Sequence, residues 1–81
     1  MPVYYFHVRE NGTLMRDAEG IDLPDMSAVR HRIGELVQSI FQEEYAADIS
    51  ADGEFQIEDA SGRIVLIVPF RPALARAAAG R

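Results

Sequence analysis

His7 is the residue best suited to moving a proton, because imidazole is the side chain whose ordinary titration lies nearest neutrality. Tyr5, Arg9 and Arg16 fall within a strand or two of it, enough for a general base with a hydroxyl and cations at hand. The spacing brings no serine nucleophile, second histidine or carboxylate beside it, which favours a structural histidine at a subunit contact over a catalytic one.

A second constellation is Asp48-x-Ser50-x-Asp52-Gly53-x-Phe55-x-Ile57-x-Asp59. Oxygen-bearing residues at positions one, three, five and twelve, with glycine at six, approach the twelve-residue calcium loop. Asp48, Ser50, Asp52 and Asp59 are therefore candidate calcium ligands. Against them, the twelfth position is Asp where a bidentate Glu is usual, position three is Ser, and turn and strand residues follow in place of an exiting helix. An Asp-Gly turn entering a strand explains the same letters, and it is the preferred reading. No other metal set and no cofactor signature occurs. The segment Glu43 to Asp59 holds seven carboxylates and no basic residue, which suits a docking surface for a basic partner, a metal-attracting surface or simply a solvated face, the last being preferred.

The elements that position these residues must fit one small domain, since 81 residues leave no room for a second core. The domain is expected over residues 1–72, with 73–81 an Ala/Arg tail that forms a short helix or frays. Hydrophobic residues make up 48%, too many for the disordered class, and the absence of cysteine removes disulfides and thiolate chemistry. A net charge of −5 opposes unassisted binding to nucleic acid. No charged leader followed by an apolar run and no membrane-length apolar stretch is present, so a soluble cytoplasmic protein is expected.

Val3–Glu10 reads as a strand of β-branched and aromatic residues that stops at Asn11-Gly12, a strong hairpin signal. That turn sets Glu10 against Thr13, Arg9 against Leu14 and Val8 against Met15. Asp17 to Pro24 reads as a loop whose Ile21 and Leu23 tuck under a helix. Asp25 is the expected N-cap, and Met26, Val29, Ile33, Leu36, Val37, Ile40, Phe41 and Tyr45 recur at helical steps over about six turns. His31 falls on the solvated arc. Gly34, at the border of the apolar stripe, is expected to let the helix approach the sheet closely.

Glu54–Glu58 alternates cleanly, and after Asp59–Gly62 comes the apolar run Ile64–Phe70. An even-length turn sets Ile57 against Ile64 and Phe55 against Leu66, which sends Phe55, Ile57, Ile64, Leu66, Val68 and Phe70 to the helix side. An odd turn keeps that pattern only if a bulge corrects it. Val65 and Ile67 then join Tyr5 and His7 on a second face without obvious cover. The fold expected is α+β, ββαββ, a four-stranded, mostly antiparallel sheet with one long helix packed on one face, its first and last strands central.

The opening Met1-Pro2-Val3-Tyr4-Tyr5-Phe6-His7-Val8-Arg9, the Gly20-Ile21-Asp22-Leu23-Pro24-Asp25 loop and the closing Val68-Pro69-Phe70 together resemble a domain-of-unknown-function family of short bacterial proteins. The likeness runs to about Phe70, and Tyr5 stands where Phe is commoner in that family. It implies the same fold and a bacterial origin, and it assigns no activity to any residue.

Three functions are carried forward from these readings. The preferred one is a non-catalytic module that self-associates, as a dimer, through the second face with Tyr5, His7, Arg9, Val65 and Ile67. The second is a small ligand-binding protein or enzyme with a pocket at that face near His7. The third, an antitoxin-like regulator, rests on loose architectural analogy.

Overall fold

In a computed structural model the chain is described over residues 2–42 and 53–70. Among the described residues five strands and one helix follow in the order β1 (Val3–Glu10), β2 (Thr13–Met15), β3 (Ile21–Asp22), α1 (Met26–Gln42), β4 (Glu54–Asp59) and β5 (Ile64–Pro69). All pairings are antiparallel, in the order β2-β1-β4-β5, with β3 beside β1 on the edge that β2 also uses. The architecture is α+β as expected, with one strand more than the sequence suggested. The additional strand is the two-residue β3, in which Ile21 pairs with Tyr4, so that residue joins the sheet as well as packing on the core.

Asn11 and Gly12 take positive φ values of 54° and 79°, the condition for a two-residue turn that matches strand twist. The register that follows is Val8 to Met15, Arg9 to Leu14 and Glu10 to Thr13, as the turn predicts. At the head of α1, Asp25 Oδ1 accepts the Ala28 N–H at 2.9 Å and its carbonyl accepts from Val29, which makes it the N-cap. The expected continuation of the helix to Tyr45, the segment Asp48, Ser50 and Asp52, and the 73–81 tail lie outside the described residues.

Val29, Ile33 and Val37, one helical stripe, pack with Tyr4, Phe6, Phe55, Ile57 and Phe70 into a single core. Each such side chain taken fully out of water contributes about 1.5–3 kcal/mol. Phe70 closes one end of this layer. Its ring meets Phe55 edge-on at 5.0 Å and its N–H donates to the Gly53 carbonyl.

Three expectations are corrected. The last strand is not central: among the described residues β5 pairs with β4 alone, and it is β4, in contact with both β1 and β5, that occupies the middle. The β4–β5 turn has odd length, because the Asp59 N–H donates to the Arg63 carbonyl across Ala60, Ser61 and Gly62. A bulge compensates. Between the Ile57–Leu66 and Glu58–Ile64 pairs β5 carries one extra residue, Val65. Leu66 and Val68 keep the helix side, whereas Ile64 and Val65 exchange roles: Ile64 stands exposed and Val65 packs against the core. Gly34, finally, is exposed with open space around it, so no close approach of helix to sheet explains it.

Candidate functional site

The face of the sheet turned away from α1 carries Tyr5, His7 and Arg9 from β1, Leu14 from β2, Glu54, Gln56 and Glu58 from β4, and Ile64, Ile67 and Pro69 from β5. His7 is 2% exposed on this face. A buried imidazole needs partners for both nitrogens. The Asp17 N–H donates to Nδ1 at 2.9 Å, so Nδ1 holds a lone pair and the neutral ring carries its proton on Nε2, 3.1 Å from Glu58 Oε1. With both nitrogens engaged and the ring enclosed, His7 ties the loop after β2 to β4. Tyr5 lies beside it, nearly parallel, with ring centroids 6.3 Å apart.

Asp17 exists in this place because the edge of β1 has a gap. β2 pairs with Val8–Glu10 and β3 with Val3 and Tyr4, and in between Asp17 Oδ2 accepts the Phe6 N–H at 3.0 Å as a strand carbonyl would. Its other oxygen accepts from Glu19 at 3.1 Å and Gly20 at 3.2 Å. Burial pushes the Asp17 carboxyl up, but the N–H groups of Phe6, Gly20 and Glu19 outweigh it and hold the pKa below the ordinary 3.8. Gly20 closes the loop at φ 74°, and a Cβ there would come within 2.6 Å of Val3 Cγ1 and 2.9 Å of the Tyr5 ring.

Glu58 also faces Arg16, at 3.7 Å, and Arg9 faces Glu54 at 3.9 Å; both arginines are more than half exposed. Tyr5, His7, Arg16, Asp17, Glu58 and Ser61 border an open depression of about 520 Å3. The expected face is thus assembled in part. Tyr5, His7, Arg9 and Ile67 share it, Val65 leaves it through the bulge, and Ile64 takes its place. Of the candidate calcium ligands only Asp59 is described: its Oδ1 accepts from the Ser61 hydroxyl, the Ser61 N–H and the Arg63 N–H. The Ser61 hydroxyl foremost, then the Arg63 and Ser61 amides and the Arg63 charge, lower its pKa, as suits a carboxylate that closes a hairpin.

Two residues beside His7 escaped the sequence reading. Glu58 had a signal, because alternation sets it opposite to Ile57 and therefore on the His7 side once both strands are turned to the helix. Asp17 had none.

With this geometry in view, residues 3–71 match the family described as Domain of unknown function (DUF6894). The chain belongs to that family. No curated protein and no solved structure matches the chain. Membership spans every described strand and the helix, so the His7, Asp17 and Glu58 arrangement lies within the family's own domain. Among the described residues no helix is long and apolar enough to cross a membrane.

Proposed function

We propose that this domain is a non-catalytic interaction module that self-associates through the sheet face opposite α1. One observation carries the reading: Leu14, Ile64 and Ile67, large apolar side chains on that single face, are 38%, 42% and 51% exposed. They stand on the two outer strands of the described sheet, β2 and β5, and with Pro69 flank a middle of Tyr5, Arg9, Glu54 and Gln56, an amphipathic face for another protein to cover, while the more exposed Met15, 55%, lies on the helix side. The state of His7 supports the same conclusion, because an imidazole with both nitrogens engaged and 2% exposure has no lone pair to offer a substrate. Light scattering on the purified chain is expected to give a dimer or larger species, and Ile67→Arg to give monomer with unchanged circular dichroism. A wild-type chain that stays monomeric at micromolar concentration refutes the proposal.

A second reading is favoured by the depression beside Tyr5 and Arg16, which has the volume of a small-ligand site. On this reading the chain binds a small molecule there, and Tyr5→Ala abolishes a ligand-induced rise in melting temperature that wild type shows. A broad metabolite screen that shifts no melting temperature counts against it. The antitoxin-like reading keeps only its architectural analogy.

A further inference from the structure

On the free face, one row of the ladder runs straight across four strands. Leu14 on β2 stands opposite Arg9 on β1, Arg9 opposite Glu54 on β4, and Glu54 opposite Pro69 on β5. Read across the sheet the row is apolar, cationic, anionic, apolar. Leu14, Arg9 and Pro69 are exposed, and Gln56 Nε2 holds Glu54 Oε2 at 2.8 Å, which fixes the carboxylate in place. A half-turn about an axis running along the strands, between β1 and β4, carries this row onto its own complement: Arg9 comes over Glu54, Glu54 over Arg9, and Leu14 over Pro69.

We infer that the occupant of this face is a second copy of the chain, seated face to face about that two-fold axis with the partner's Glu54 against Arg9. The inference rests on the self-association proposed above and adds its geometry. An isologous interface requires a surface complementary to itself under rotation, and a row of this composition supplies it in charge and polarity together. A half-turn about an axis perpendicular to the strands lacks this property, because it reverses the strands and sets the Arg9 end of β1 over the Tyr4 end. Edge pairing is also disfavoured. β5, the outer strand among the described residues, is interrupted by the bulge at Val65 and by Pro69, which has no N–H to donate, and β2 has three residues.

The test uses two reversals of charge in the full chain, Arg9→Glu and Glu54→Arg, followed by sedimentation equilibrium. Each is expected to weaken the dimer by about 100-fold or more, since like charges then meet twice across the axis. An equimolar mixture of the two variants restores the dimer, because each chain supplies what the other lacks. The pair within one chain cannot explain that rescue: in the mixture both intrachain pairs remain like-charged. Circular dichroism checks the fold, because Arg9 is more than half exposed but Glu54 only 20%. If a reversal does disturb the fold, Arg9→Gln and Glu54→Gln carry the test, each expected to weaken the dimer by roughly tenfold. Variants that dimerise like wild type, or a mixture that stays monomeric, overturn the two-fold arrangement while leaving self-association standing. A monomeric wild type overturns both.

Discussion

Asp17 replaces a missing strand, so removing its carboxylate should cost the fold more than a loop position suggests. In Asp17→Ala three N–H groups lose their acceptor, those of Phe6, Glu19 and Gly20. They do not count equally. The Glu19 bond is exposed and water replaces it at little cost, while the Phe6 and Gly20 bonds are partly buried. Leaving a buried donor unmet costs about 1–3 kcal/mol, so Phe6 with a smaller share from Gly20 gives about 2–4 kcal/mol. A domain of this size has on the order of 4–12 kcal/mol in all. Urea unfolding at pH 7 measures the loss. Asp17→Asn should be nearly as harmful, because an amide cannot accept from Phe6 on one side and from the turn on the other without aiming its NH2 at a donor. The pH dependence follows from the lowered pKa. A carboxyl whose folded pKa lies below its unfolded 3.8 contributes stability that is fully present above that value and lost as pH falls through the folded one. Wild type should therefore lose stability below about pH 3.8 more steeply than Asp17→Asn. Equal stability of wild type and Asp17→Ala at pH 7, or identical acid profiles for wild type and Asp17→Asn, would refute the reasoning.

Two glycines should respond in opposite directions. Gly34 sits within α1 on the exposed side with nothing near a would-be Cβ, so Gly34→Ala should stabilise by about 0.5–1 kcal/mol and raise the melting temperature by a few degrees. A Cβ on Gly53 would lie 2.6 Å from two Phe70 ring atoms and 3.1 Å from the Arg9 carbonyl, so Gly53→Ala should displace Phe70 and destabilise by about 1–3 kcal/mol. Thermal melts of both variants check the pair.

How much of this was legible in the chain depends on the range of the interaction concerned. Asn11-Gly12 and Asp25 act within a few residues, and both the hairpin register and the helix start followed from them. The β4–β5 pairing was legible in parity but not in register, because the bulge at Val65 is set by the three-residue turn that Asp59 closes, and apolar letters do not reveal a bulge. This exchanged Ile64 with Val65 on the free face. Hydrophobicity also misplaced β5: an apolar strand needs cover on its sides, which α1 and the partner proposed for the free face supply, and it does not need a ladder on both edges. The candidate site was half legible. Tyr5, His7 and Arg9 declared their face through alternation. The partners of His7 come from fifty-one and ten residues away: alternation places Glu58 on the His7 face without pairing the two, and nothing local places Asp17 there.

The mass of the purified wild-type chain in solution, followed from nanomolar to tens of micromolar beside Ile67→Arg, tests the central claim most directly. Self-association through the free face predicts that wild type approaches at least twice the 9.0 kDa of one chain while Ile67→Arg stays at one. A wild type that remains at 9.0 kDa throughout, or an Ile67→Arg variant that assembles as wild type does, contradicts it.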